Sequence, residues 1–98
     1  MKILKKVFNK KEKKYLKKYP MVEVSWKDIT SESGWQSLSD VKQGSCAICV
    51  TKGHLIDKKN GTTKIFGDYA LSEDGESIAE VGNTTLIPNG CIIETKKL

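Results

Sequence analysis

The chain contains no arginine; all seventeen of its basic side chains are lysine. This excludes the planar, two-pronged guanidinium contacts that grip phosphate, carboxylate or guanine, and leaves only point-charge ammonium contacts. There is a single histidine, His54, so any Ser–His–Asp or Cys–His chemistry would have to be built on that one ring. Its neighbours Cys49 and Asp57 sit among strand and turn residues, and the expectation is an exposed or satisfied ring beside a bulge. The three cysteines are an odd number and nothing else suggests secretion, which points to free thiols in a reducing cytoplasm. No stretch approaches the roughly 20 apolar residues of a membrane span. Residues 1–20 hold no apolar run of the kind a secretory signal needs.

The familiar catalytic and ligand-binding templates are missing too. There is no G-x-x-x-x-G-K-[ST] phosphate loop and no dinucleotide fingerprint. The acids Asp68, Glu73, Asp74, Glu76 and Glu80 form no calcium loop and no paired-carboxylate site. One metal pattern comes close. Cys46, Cys49 and His54, with Gly53 before the histidine, match the first three ligands of a zinc knuckle. The fourth position is Lys59, an ammonium that cannot ligate zinc at neutral pH, which leaves distant Cys91 as the substitute. The odd spacing of Cys46 and Cys49 would also turn their thiols to opposite sides of a regular strand. Their neighbours Ala47, Ile48 and Val50 read as core strand, so buried thiols behaving as small hydrophobes are expected instead. No helix follows the C-x-x-C pair to lower a thiol pKa for redox work. These absences together predict a protein that is not an enzyme and holds no cofactor.

What is present is an uneven charge. Residues 1–20 carry nine lysines and one acid, Glu12, a net of +8; residues 21–98 carry eight lysines and eleven acids, a net of −3. Residues 2–19 read as a basic amphipathic helix, stopped by Pro20. At helical spacing Leu4, Phe8, Tyr15 and Tyr19 fall within about 60° of one another, flanked by Val7 and Leu16, and Lys11 interrupts the stripe. Such a helix is marginal alone and needs a surface to dock on, from its own domain or another molecule. The predicted division is therefore 1–20, a basic helix, and 21–98, a small β domain.

Within 21–98, Val22, Val24 and Trp26 alternate with Glu23 and Ser25 as in a half-buried strand. A loop follows, then a short helical turn from Ser37 to Gln43, capped by Ser37 and ended by Gly44. Residues 45–57 read as a strand broken near Gly53. Asn60-Gly61 predicts a type I′ hairpin turn, with Thr62 to Leu71 returning and Gly67 at a bulge or bend. Residues 72–82 read as an acidic loop, Thr84 to Ile87 as a short strand, Pro88-Asn89-Gly90 as a turn and Cys91 to Thr95 as a last strand. The fold class expected is mainly β, a small five- or six-stranded antiparallel barrel with an N-terminal α-helix.

The stretch Thr85-Leu86-Ile87-Pro88, followed by Cys91 to Ile93, resembles the end of a Src-homology-3-like barrel, in which an apolar residue and a proline lead through a three-ten turn to the closing strand. The wider pattern comprises Val24, Trp26, Asp28 and Ile29, then Gly34-Trp35, Gly53 to Ile56, Gly82, Thr85, Ile87 and Pro88. It resembles small uncharacterised bacteriophage proteins with a Src-homology-3-like or Sm-like barrel, over about residues 21–98. The resemblance implies a small phage-like barrel that self-associates, and it points to no particular activity; the location expected is the cytoplasm, the host's if the protein is phage-encoded.

Three functions follow as expectations. The first is a non-catalytic interaction module that binds a protein or itself and interferes with a host system, through Leu4, Phe8, Tyr15, Tyr19 and Trp35. The second is nonspecific nucleic-acid binding through Lys5, Lys6, Lys10, Lys13, Lys14, Lys17 and Lys18, with tyrosines stacking on bases. The third is an oligomer that captures a small anionic ligand.

Overall fold

A computed structural model describes residues 13–98. Five strands build it: β1 (Met21–Lys27), β2 (Ile48–Asp57), β3 (Thr62–Leu71), β4 (Ile78–Pro88) and β5 (Ile92–Lys97), with one short helix, α1 (Leu38–Gln43). The strands form one open sheet in the order β4-β3-β2-β1-β5, and every neighbouring pair is antiparallel. The mainly β expectation is met with five strands.

The predicted basic α-helix is not what the described residues form. Residues 2–12 lie outside them. From Lys13 onward the backbone makes a single three-ten turn, Lys14–Leu16, and then runs into β1. The reason is local. Pro20 cannot continue a helix, and its carbonyl accepts the Leu55 N–H at 2.9 Å, which ties the segment alongside β2.

The alternation in β1 sets the core. Val22 and Val24 are buried, and with Ile65 of β3 and Ile87 of β4 they form an aliphatic cluster. Trp26, Leu55, Cys91 and Ile92 pack against it. Ile87 lies on one edge strand and Ile92 on the other. Across a flat sheet of five strands, edges stand about 19 Å apart. Sharing one cluster therefore requires the sheet to curl over it. The two edges are joined by the three-ten turn Asn89–Cys91, directly after Pro88. Within the curl the Thr63 hydroxyl donates to Asn89 Oδ1 at 2.6 Å, so the one buried polar side chain among the described residues is satisfied.

Phe66 is as buried as its neighbour Ile65, yet successive strand residues face opposite sides. Phe66 thus anchors a second, aromatic layer on the other face of the sheet. At Gly53 of β2, opposite Val22, the side chain of Ile65 and the carbonyl of Phe66 fill the space a Cβ would take, and the strand runs through it without the break expected there.

The hairpin turn matches its prediction. Asn60 and Gly61 both have positive φ (57° and 72°), and the Thr62 N–H donates to the Lys59 carbonyl. Asp57 braces it, accepting from Lys64 Nζ at 2.8 Å and from the Lys59 N–H at 3.1 Å. The Lys64 hydrogen bond, then the Lys59 one, holds the Asp57 carboxyl below its ordinary value. A lowered carboxylate pKa contributes stability above the unfolded-state value of about 3.9, and that contribution is lost as pH falls through the folded value. Asp57→Asn is therefore expected to lower the melting temperature at neutral pH, with the gap to the wild type closing below pH 4. A gap that persists unchanged into strong acid would show that the carboxylate charge is irrelevant to the turn.

The acidic loop is shorter than the sequence suggests, because β4 begins at Ile78 rather than near Thr84. Residues 72–77 fold on themselves. Asp74 accepts from Ser72 Oγ at 2.7 Å and from the Glu76 N–H at 2.9 Å, which lowers its pKa.

Candidate functional site

Three regions place chemically interesting side chains together. The first is the aromatic layer over Phe66. The His54 ring stacks on Phe66 with centroids 5.1 Å apart, and Tyr19 meets Phe66 edge-on at 5.6 Å. Tyr69 meets both His54 and Phe66, and Tyr15 lies against Tyr69 at 5.8 Å. The register of β2 on β3, with His54 opposite Phe66, creates this layer. His54 Nδ1 lies 2.9 Å from the Tyr19 carbonyl. A carbonyl only accepts, so Nδ1 carries the proton. Burial, with the adjacent Tyr15 phenol, raises the Tyr69 pKa. The layer is thus a lid of residues 15–19 packed on the protein's own sheet, with the lone histidine as one of its packing members.

The second region is the connection from β1 to β2. Residues 28–47 lie between Lys27 and Ile48, and every one of the twenty is exposed. The Asp28 N–H donates to the Ala47 carbonyl at 2.9 Å, so the ends of the connection are closed side by side and the rest projects as an arm. Connections longer than about 12–15 residues are uncommon in compact domains and usually serve a function. Within the arm α1 is capped as expected, with Ser37 Oγ accepting the Asp40 N–H at 3.0 Å, yet none of its residues is buried. Leu38 and Val41, three apart on one helix face, are 72% and 54% exposed; Ile29 is 82% exposed and Trp35 fully so.

The third region is a cleft of about 200 Å³ at the root of the arm, lined by Trp26, Ile29, Leu86, Ile87, Pro88 and Cys91 among others. The body of Trp26 packs on the core and its Nε1 donates to Thr51 Oγ1 at 3.0 Å. A larger hollow of about 400 Å³ within the arm is lined by Glu32 and Asp40 and by no lysine, which suits no anion. A third, of about 230 Å³, has Lys58 beside Thr63, Asn89, Ile92 and Thr95.

The residues singled out from sequence separate accordingly. Leu4, Phe8, Lys5, Lys6 and Lys10 lie outside the described residues. Tyr15 and Tyr19 turn onto the protein's own sheet, while Trp35 stands clear of it. Lys13, Lys14, Lys17 and Lys18 are exposed around the tyrosine lid. Cys46, Cys49, His54 and Cys91 are not gathered into a ligand set: Cys46 lies in the arm, Cys49 pairs with Trp26 in the ladder, His54 is in the aromatic layer and Cys91 lines the cleft. Among the described residues no three His, Cys, Asp or Glu side chains form a potential metal site, and no helix is long and apolar enough to cross a membrane. Sequence reasoning missed Ile29, Leu38 and Val41 as companions of Trp35. The available signal was the i, i+3 spacing of Leu38 and Val41 in a helix too short to be stable alone.

No protein-family profile, curated protein or solved structure matches the chain.

Proposed function

We propose that this protein is a non-catalytic interaction module, a phage-type accessory protein with a Src-homology-3-like body, which works by protein contact and through that contact interferes with a host system. The exposed arm carries this reading. An aromatic and three aliphatic side chains held out on a capped, closed loop are costly in water unless a partner covers them. The β4-β3-β2-β1-β5 order, the curl over one aliphatic cluster and the three-ten turn between β4 and β5 support the barrel. The packing of His54 as a structural ring supports the non-catalytic half.

Nucleic-acid binding fares less well on the same observations. Tyr15 and Tyr19 are engaged with Tyr69 and Phe66 and are not presented for stacking on bases. The arm itself carries Asp28, Glu32 and Asp40 against Lys42, a net of −2.

The test is co-expression of two differently tagged copies, with capture through one tag, for the wild type and a Trp35→Ala/Leu38→Ala double variant. The wild type is expected to retain a protein, either the second copy or another chain, and the double variant to lose it. In parallel, duplex DNA, single-stranded DNA and RNA are titrated at two salt concentrations. No retained protein, together with nucleic-acid affinity that falls steeply with salt and vanishes on deletion of residues 1–20, would replace this reading with the second.

A further inference from the structure

We infer that the partner of the arm is a second copy of this chain, with Trp35 of each copy seated in the cleft between Trp26 and Pro88 of the other. The inference rests on the protein-contact reading and names its partner. One chain presents both halves of the contact: an arm that holds Ile29, Trp35, Leu38 and Val41 in solvent, and a cleft with mainly apolar walls. Ile29 belongs to both, since it roots the arm and lines the cleft. From Ile29 to Trp35 the chain reaches up to about 20 Å, enough to cross from one copy's root to the other's cleft beside a two-fold axis. A two-fold exchange fills both clefts and covers both arms at once, and closed two-fold pairs are the commonest oligomers.

The area is of the right size. Trp35 offers about 200 Å². Ile29, Leu38 and Val41 on the arm, with Leu86 on the cleft wall, are all more than half exposed. At roughly 60–120 Å² for each fully exposed aliphatic side chain, scaled by these exposures, the group offers roughly 450 Å² per copy. A stable interface takes about 800 Å² per partner, so these side chains supply about half of it as an apolar centre, and the other cleft walls with a polar rim supply the rest. The need is there as well. Five buried hydrophobic side chains among the described residues make a small core, and chains of this size draw on oligomerisation for stability.

The experiment is sedimentation equilibrium of the full chain from about 1 to 100 μM, with Trp35→Ala and Leu86→Lys as variants. Leu86 is exposed on the cleft wall, and both substitutions are expected to leave the far-ultraviolet circular dichroism unchanged. The wild type is expected at twice 10.9 kDa. Each variant is expected to weaken the dimer at least about 30-fold, the effect of losing a central aromatic anchor or its seat. A wild type that stays monomeric at 100 μM overturns the inference. So does a dimer that Trp35→Ala leaves intact, or one that Trp35→Ala breaks and Leu86→Lys does not. A monomer whose Trp35 still captures a different protein would overturn the inference while leaving the protein-contact reading in place.

Discussion

Phe66→Ala is expected to remove about 3–5 kcal/mol of stability, the range for truncating a fully buried aromatic side chain. For a domain of this length the total is on the order of 5–15 kcal/mol, so the variant stands near the edge of folding. The loss has two parts. One is the cavity left beneath His54, Tyr19 and Tyr69, which all rest on the Phe66 ring. The other is the ring-on-ring geometry itself, about 0.5–1.5 kcal/mol per pair beyond the area buried. Urea unfolding of wild type, Phe66→Ala and Phe66→Leu measures it, and the leucine variant should fall between the other two. Trypsin gives a second readout, because the lid that Phe66 holds down carries Lys17 and Lys18, with Lys13 and Lys14 just before it. Cleavage there should accelerate before the rest of the chain is cut. A loss below 1 kcal/mol with unchanged cleavage would mean that the aromatic layer is not packed.

Gly53→Ala is expected to cost about 1–3 kcal/mol or more, although it adds only a methyl group to a strand. The added Cβ would overlap the Ile65 side chain and stand 2.8 Å from the Phe66 carbonyl oxygen. A side chain could rotate away, but the carbonyl is held in the β2–β3 ladder, so the strands themselves would have to part. The close approach also lies between the two buried layers, so any shift disturbs both. Gly90→Ala is the control. Nothing lies within 4 Å of its Cβ and its φ is not positive, so its effect should be neutral or slightly stabilising. Thermal melts of the pair settle the matter, and equal melting temperatures would mean that the β2–β3 contact at Gly53 is loose.

Much of this architecture was legible where local chemistry decides. Asn60-Gly61, the Ser37 cap and the Val22-Val24-Trp26 alternation each encode their structure within a few residues, and each took the expected form. β4 was harder. Glu80, Gly82 and Asn83 are poor strand formers, and Asn83 even has positive φ. They enter the strand because Tyr69, Ala70 and Asp68 of β3 pair with Val81, Glu80 and Gly82. Pairing across the sheet overrode propensity, and no short window shows that. The aromatic layer was hidden for the same reason, since His54 and Tyr19 are 35 residues apart in sequence and meet only through the register. The four-residue spacing of Tyr15 and Tyr19 did signal two rings on one surface, and the sheet collects them without an α-helix. Trp35 was readable as an exposed side chain because it follows Ser33-Gly34 in a loop. The cleft that would receive it was not, since its walls come from both ends of the β domain.

The single rung between Asp28 and Ala47 has a consequence for how such a protein changes over time. It closes the sheet beneath the arm, so the body's hydrogen-bond ladder is complete without anything beyond it. Loop-closure entropy grows only with the logarithm of length, and halving or doubling the arm alters stability by about 0.6 kcal/mol. Residues 30–46 can therefore lengthen or shorten without breaking a rung of that ladder. The sequence of the arm and the hydrogen bonding of the sheet can thus vary separately in this chain, and the arm can be redrafted without redrafting the ladder that carries it.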